Sequence, residues 1–235
     1  MITGPLPTPS RVLAIGAHPD DVEFGCGATL ARWAGDGAHC EVLVLTDGSK
    51  GPWAPAADLA ALVATRRAEQ LAAAAELGVA HVHFGGAVDG ELENRADVRH
   101  EVCRVIRSTR PDVVLGHDPW KRYRLHPDHH AAGRLVVDGV VAARDPHFFP
   151  DAGAPHRPST LLLFEAEERD HVEPAGDDAR NAKVAALLAH RSQWRSTMGI
   201  DEDDADNPNA AQLGEFVGWL FRDGPSESFK LIEHL

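Results

Sequence analysis

Residues 12–21 read VLAIGAHPDD, and this stretch decides the fold. The apolar and small residues 12–17 predict a buried strand, and Pro19 ends it because proline fits neither a central strand nor a helix interior. His18, Asp20 and Asp21 therefore fall in a turn at the carboxyl end of the strand. In an open α/β sheet this is the edge at which ligands bind.

Outward from this stretch, short apolar runs alternate with longer helical patterns. Strands are predicted at residues 12–17, 41–46, 81–84, 112–116 and 161–164, with a last one near residues 229–232. Helices are predicted at residues 25–34, 58–77, 95–108, 129–143, 179–195 and 211–221, and loops at residues 48–57 and 145–158. This alternation is typical of a Rossmann-like α/β fold, a mostly parallel β-sheet with helices on both faces in three layers. A length of 235 residues favours a single domain, residues 1–235.

Composition narrows the class of partner. The formal net charge of −13 argues against nucleic acids and anionic membranes, because an acidic surface repels both. Three cysteines without CxxC spacing, each in an apolar run, are typical of buried thiols in a reducing compartment. No apolar run has the length of a signal-peptide core or a membrane span. We therefore expect a cytoplasmic protein that binds a small molecule. The composition does not determine its oligomeric state, and a homo-oligomer is possible.

A second polar cluster, His126-Pro127-Asp128-His129, follows the strand predicted at residues 112–116 and opens a helical pattern. His126 and His129 are three residues apart and so share a helix face, where one can bind a metal while the other faces a substrate. In the first cluster, a divalent cation can take His18 and one carboxylate, leaving the adjacent carboxylate free to act as a base. Two histidines and one carboxylate leave a coordination position for water, as in hydrolytic zinc centres.

Ordinary helix capping is the alternative interpretation of either cluster alone, since Asp is common at helix starts. The occurrence of both clusters at strand ends favours a shared metal site. A nucleotide-binding loop at Gly25-Cys26-Gly27 is weakly indicated, because Leu30 stands where the third glycine belongs.

These motifs resemble the signature of the PIG-L/LmbE-like zinc de-N-acetylases. The resemblance is carried by HPDDVEFGCG at residues 18–27 and HPDH at residues 126–129, with support from residues 45–48, 66–69, 77–79 and 111–114. It implies Zn²⁺ held by His18, Asp21 and His129, with Asp20 as general base and His126 near the scissile carbonyl. It also implies removal of an acetyl group from an N-acetylated amino sugar, a conjugate of the N-acetylglucosamine type. Fe²⁺ accepts the same ligand set.

The role of His126 has two interpretations, delivery of a proton to the leaving nitrogen or stabilisation of the oxyanion. Asp128 either bonds an imidazole, raising the protonated fraction of His126, or caps a helix. Arg66 falls in the middle of an apolar helical stripe, so it either reaches the site to bind substrate or pairs with a structural carboxylate.

Tyr123 either donates to the oxyanion or packs its ring. Among the polar residues near strand ends, Asp89 and His171 are weaker candidates for the pocket wall. Two other classes of function stay open: another mononuclear metallohydrolase, such as a phosphoesterase, and a non-catalytic sugar-binding protein.

Overall fold

The computed structural model describes residues 3–51, 58–201 and 207–235, and these residues form one seven-stranded sheet. Its strands are β1 (Arg11–Gly16), β2 (His39–Thr46), β3 (His81–Ala87), β4 (Val113–His117), β5 (Thr160–Phe164), β6 (His171–Glu173) and β7 (Glu227–Glu233). The order is β3-β2-β1-β4-β5-β7-β6, with β1 to β5 parallel and β7 antiparallel to both of its neighbours. The predicted mostly parallel class is confirmed, and the short strand β6 is an addition.

The helices cover both faces of the sheet. They are α1 (Asp21–Gly35), α2 (Leu59–Glu76), α3 (Ala96–Thr109), α4 (Pro127–Arg144), α5 (Asp177–Ala189) and α6 (Ala210–Leu220). Side chains alternate along β1, so Leu13 packs with the core under α3 and α4, whereas Val12 packs with the core under α1, α2 and α5. This gives the predicted three layers. None of the helices in the described segments combines the length and the apolar character needed to cross a bilayer.

Helix α1 begins at Asp21, four residues earlier than predicted, and is broken at Cys26 (φ −151°, ψ 19°). Beyond the break, the Glu227 carboxylate of β7 accepts hydrogen bonds from the backbone N–H groups of Ala28 (3.1 Å) and Thr29 (2.7 Å). Glu227 thus caps the second half of the helix, as an N-cap side chain does. The glycines of the possible nucleotide loop lie inside α1, which removes that alternative.

The predicted helix at residues 179–195 ends early. Helix α5 stops at Ala189, and a 3₁₀ turn (Arg191–Gln193) and a π turn (Trp194–Met198) follow it. Of the predicted loop at residues 48–57, residues 52–57 lie outside the described part of the chain. The loop at residues 145–158 is held by the buried Arg107, which donates to the carbonyls of Asp145 and Phe149.

The strand order determines where a site can form. The chain passes from β1 to β2 and β3 on one side and returns to β4 on the other, so the carboxyl ends of β1 and β4 meet at a topological switch point. Helix α4 lies close to the end of β4 because Gly133 lacks a side chain. A Cβ there would stand 2.8 Å from the carbonyl oxygen of His117. The segments carrying the two polar clusters therefore face each other.

Candidate metal and catalytic site

The structure brings together the three predicted metal ligands. His18 Nδ1 lies 3.2 Å from His129 Nε2 and 3.3 Å from Asp21 Oδ2, and His129 Nε2 lies 3.2 Å from Asp21 Oδ1. The two histidines are 111 residues apart in sequence. Asp21 is fixed locally, because its Oδ2 accepts a 2.7 Å hydrogen bond from the backbone N–H of His18.

The donor set fits a zinc-type cation. Ligand atoms about 2.0–2.1 Å from a tetrahedral zinc stand roughly 3.3 Å from one another. Each of the three distances is close to this value, although His18 faces Oδ2 of Asp21 and His129 faces its Oδ1. The other nitrogen of His18 faces Asp89 Oδ1 and Asp128 Oδ2, both at 3.1 Å, as carboxylates orient metal-bound imidazoles. Burial alone lowers the pKa of His18, but the carboxylates, Asp128 first, raise it to about 12. This negative field attracts a cation.

The carboxylate of Asp20 diverges from that of Asp21, as the turn predicts. Asp20 has a left-handed backbone (φ 100°, ψ −27°), and its Oδ2 accepts a 3.1 Å hydrogen bond from Arg66 Nη2. Burial raises the pKa of Asp20 to about 6, although the Arg66 charge lowers it. A carboxylate with such a pKa suits proton transfer near neutral pH.

Arg66 lines the site cavity and also pairs with a buried carboxylate, that of Asp20, while its binding of substrate stays a prediction. It is 3% exposed, and its guanidinium also donates to the carbonyls of Gly48 (2.9 Å) and Pro19 (2.6 Å). Gly48 has φ +65°, and a Cβ there would stand 2.6 Å from Arg66 Nη1. A side chain at position 48 would therefore displace the guanidinium.

His126 is the N-cap of α4, and its Nδ1 accepts a 3.3 Å hydrogen bond from the backbone N–H of Asp128. Its ring centroid lies 4.5 Å from that of His18 and 5.0 Å from that of His129. Burial, followed by the charges of His18 and His129, lowers the pKa of His126. The charge of Asp128 raises the pKa of His126, as expected, but less than the other groups lower it, and the Asp128 carboxylate bonds His18 rather than His126.

Asp128 and Asp89 instead support His18. Asp128 is fully buried and also accepts hydrogen bonds from the backbone N–H groups of Gly90 (2.6 Å) and Leu92 (3.2 Å). Asp89 accepts one from the backbone N–H of Lys50 (3.0 Å). Both carboxylates are thus held by backbone donors from loops and can keep the His18 ring in one orientation.

His117, the last residue of β4, is one of the polar residues near strand ends that could line a pocket, and it contacts the cluster. Its Nε2 lies 3.2 Å from Asp21 Oδ2, and its ring stacks on His129 with centroids 4.5 Å apart. Arg124 Nη1 lies 3.0 Å from its Nδ1, and because a guanidinium can only donate, His117 donates from Nε2 to Asp21. Its place at the end of a strand next to β1 is the signal that could have identified it.

Two predicted candidates lie elsewhere. Tyr123 has φ 57° and is 91% exposed, so the expectation that its ring packs is wrong, and it lies outside the cavity lining. His171 is buried on β6, bonded to Glu173 Oε1 (2.7 Å) and Thr3 Oγ1 (2.8 Å). It joins the edge of the sheet to the N-terminal segment rather than lining the site, because β6 is three strands away from β4.

The site opens into a cavity of about 310 Å³. Its described lining is polar and comprises His18, Asp20, Asp21, Lys50, Gly51, Arg66, Asp89, Gly90, His126, His129, Gln193, Ser196 and Thr197. Gln193, Ser196 and Thr197 come from the 3₁₀ and π turns after α5. These three cavity-lining residues were not predicted, because the helix was expected to continue through residue 195.

A buried carboxylate beside a His–Asp–His cluster, at the switch point of a doubly wound sheet, is the arrangement expected of a metal-dependent α/β hydrolase. Residues 13–140 match the family model PIG-L, described as GlcNAc-PI de-N-acetylase. This protein belongs to that family. The prediction of a PIG-L/LmbE-like enzyme that hydrolyses an amide bond is confirmed.

Individual relatives agree with this assignment. Diacetylchitobiose deacetylase of Thermococcus kodakarensis is 34% identical over 197 residues, covering 82% of this chain and 73% of that protein. The 1D-myo-inositol 2-acetamido-2-deoxy-alpha-D-glucopyranoside deacetylase of Streptomyces avermitilis is 36% identical over 171 residues, covering 62% of this chain and 58% of the relative. The solved structure of N,N'-diacetylchitobiose deacetylase from Pyrococcus horikoshii superposes with a TM-score of 0.82 at 25% identity, covering 96% of this chain and 84% of that one.

Proposed function

We propose that this protein is a zinc-dependent hydrolase that removes the acetyl group from an N-acetylated amino sugar of the N-acetylglucosamine type. The observation that carries the proposal is the convergence of His18, Asp21 and His129 beside the buried pair of Asp20 and Arg66. Such a set provides metal ligands and a separate base in one cavity.

Amide hydrolysis needs an activated water, stabilisation of the oxyanion and a proton for the departing nitrogen. His18, Asp21 and His129 would hold the metal, which when bound polarises the acetyl oxygen and lowers the pKa of water to about 7. Asp20 takes the proton from the attacking water as the new carbon–oxygen bond forms. When the carbon–nitrogen bond breaks, Asp20 returns that proton to the amine. Arg66 keeps the Asp20 carboxylate in place during both transfers.

His126 acts as a hydrogen-bond donor to the oxyanion in this proposal. Its Nδ1 accepts from the backbone N–H of Asp128, so in the neutral ring Nε2 carries the proton. A neutral donor can stabilise developing charge without losing its own proton. This argument favours oxyanion stabilisation over the proton-delivery role.

The relatives named above are deacetylases of diacetylchitobiose and of a 2-acetamido-2-deoxyglucopyranoside of inositol, which supports an N-acetylated amino-sugar substrate here. The hydroxyl-bearing side chains of Ser196 and Thr197 and the charge of Lys50 suit a polyol. We further propose a single domain over residues 1–235. A cytoplasmic location is supported by three free, buried cysteines.

The test begins with protein stripped of metal by a chelator and reloaded with Zn²⁺ or Fe²⁺. Release of free amine is then measured from N,N'-diacetylchitobiose and from an N-acetylglucosaminyl-inositol conjugate. Asp20→Asn is the matched control, because asparagine keeps the shape and tolerates positive φ while removing the base. We expect metal-dependent amine release that falls about 10²–10⁴-fold in the variant. Equal activity of the two proteins, or cleavage of phosphate esters alone, would reject the proposal.

A further inference from the structure

Gln70 of α2 joins the main chain of Asp20 to a second buried carboxylate. Its side-chain Oε1 accepts a 3.2 Å hydrogen bond from the backbone N–H of Asp20, and its Nε2 donates a 2.6 Å hydrogen bond to Glu23 Oε1. Gln70 and Glu23 are both fully buried, and neither is among the described residues that line the cavity. Gln70 lies one helical turn after Arg66, so a single face of α2 holds both the backbone and the carboxylate of Asp20.

Glu23 determines which way the amide of Gln70 points. Glu23 Oε1 accepts from Gln70 Nε2, so the NH₂ group of Gln70 faces Glu23 and its carbonyl oxygen faces the Asp20 N–H. His190, also fully buried, lies with Nε2 3.7 Å from Glu23 Oε2. Burial lowers the pKa of His190, but Glu23 and then Asp20 raise it, leaving it above its usual value. One oxygen of Glu23 thus faces a histidine nitrogen, while the other faces Gln70.

The backbone of Asp20 needs such support. A non-glycine residue with φ 100° is strained and persists only where its surroundings hold it. The N–H of Asp20 is also buried and requires an acceptor. If the amide of Gln70 were reversed, its NH₂ would meet that N–H, and two donors would face each other.

We propose that Gln70, with its amide oriented by Glu23, is a positioning residue that holds Asp20 in the conformation in which it serves as base. This inference rests on the role proposed for Asp20. Gln70 touches neither the cavity nor the acetyl group and acts only through the Asp20 backbone. Gln70 thus gives the left-handed turn a side-chain acceptor from α2, and Glu23 holds that acceptor in place.

Three variants separate positioning from packing. Gln70→Met keeps the length and volume but removes both hydrogen bonds. Gln70→Glu keeps an acceptor for the Asp20 N–H but brings a second carboxylate against Glu23. The exchange Glu23→Gln with Gln70→Glu restores one donor and one acceptor between the two side chains, with the same total charge. Gln212→Met, on α6, is the control for substitution of a glutamine.

In zinc-loaded protein, we expect Gln70→Met to lower kcat by about 10²-fold, as a small misplacement of a catalytic group does, with KM and metal content within about twofold of wild type. Gln70→Glu should be less stable than Gln70→Met, because it buries a second carboxylate beside Glu23. It should nevertheless be more active, because it keeps an acceptor for the Asp20 N–H. The exchanged pair should recover most of the wild-type kcat.

The proposal is overturned if Gln70→Met retains wild-type kcat, if its loss of kcat follows loss of metal, or if the exchanged pair is no more active than Gln70→Met. Crystal structures of Gln70→Met and the exchanged pair provide a second readout. Separation of Asp20 from Arg66 only in Gln70→Met supports the inference, and an unmoved Asp20 rejects it. If wild type releases no amine, the proposed function fails, while these structures still decide the role of Gln70.

Discussion

Arg66 Nη2 lies 3.1 Å from Asp20 Oδ2, with both side chains almost fully buried and 46 residues apart in sequence. The guanidinium is further bonded to two main-chain carbonyls, that of Gly48 through Nη1 and that of Pro19 through Nη2, the nitrogen that also bonds Asp20. The pair therefore joins the first loop of the sheet to α2, and the carboxylate that we assign as base is part of the core.

Replacing Arg66 should affect stability and rate together. Arg66→Met leaves the Asp20 carboxylate buried without its cation, and we expect a loss of about 3–5 kcal/mol in the free energy of unfolding, measured by urea denaturation. Arg67→Met is the matched control. Arg67 is exposed over the Phe84 ring, with Cζ 4.0 Å from the centroid, and should change stability by less than about 1 kcal/mol. Similar losses in both variants would contradict the structural role of the buried pair.

Metal content should depend on the three assigned ligands. His18→Ala, Asp21→Ala and His129→Ala should each bind zinc too weakly to survive dialysis, because each removes one of three protein ligands. Atomic-emission analysis of the dialysed proteins gives the stoichiometry. The exposed His147→Ala provides the control and should retain the wild-type content. Full retention of zinc by any of the three ligand variants would disprove the assigned set.

His117 should tune metal affinity through Asp21. His117→Phe keeps a ring against His129 but removes the donor to Asp21, and we expect zinc affinity to fall about 10–100-fold. His117→Gln, which can still donate to Asp21, should lose less. Competition with a chromogenic chelator measures both affinities. The same affinity in the Phe variant and wild type would mean that the His117–Asp21 contact has no influence on the metal.

Glu227, which lies outside the site cavity, should be important for the stability of the fold. Glu227→Ala removes acceptors for Ala28 and Thr29 and leaves Lys183, whose Nζ lies 2.6 Å from Glu227 Oε1, as an unpaired buried cation. We expect a loss of about 3–5 kcal/mol in the free energy of unfolding. Glu233→Ala, on the exposed end of the same strand, should change it by about 0.5 kcal/mol or less. Equal effects of the two substitutions would rule out the capping role.

His190 should make stability depend on pH. Burial lowers its pKa, and Glu23 and then Asp20 raise it while Arg66 lowers it, with a net result above 6.5 in the folded protein. Because the folded state binds this proton more tightly than the unfolded state, the contribution is complete below pH 6.5 and is lost as pH rises through the folded pKa. Wild type should therefore lose stability relative to His190→Gln as pH rises above about 6.5. A constant difference between the two denaturation series would show that His190 does not titrate there.

The fold class and the site edge could be predicted from sequence because their signals are local. An apolar run that is followed by His18 and Pro19 identifies both the strand and its carboxyl end. Contacts formed between distant segments could not be predicted in this way. Glu227 caps a helix about 200 residues earlier in the chain, and His117 carries no distinguishing pattern beyond its place at a strand end.

The backbone geometry at individual positions could not be predicted from the sequence either. The periodicity of residues 179–195 continues through His190, yet the chain leaves the α-helix there and turns Gln193 towards the cavity. The two interpretations of Arg66 looked exclusive because the sequence could not show that its carboxylate partner belongs to the site itself.

The left-handed backbone at position 20 also limits how this protein can diverge. Glycine and asparagine adopt such a conformation most readily, whereas branched or bulky side chains are strongly disfavoured there. A descendant that abandons catalysis but retains the fold is therefore expected to carry Asn or Gly at this position. If Asp20 is the base, as proposed, either residue would identify it as a pseudoenzyme even with all three proposed metal ligands preserved.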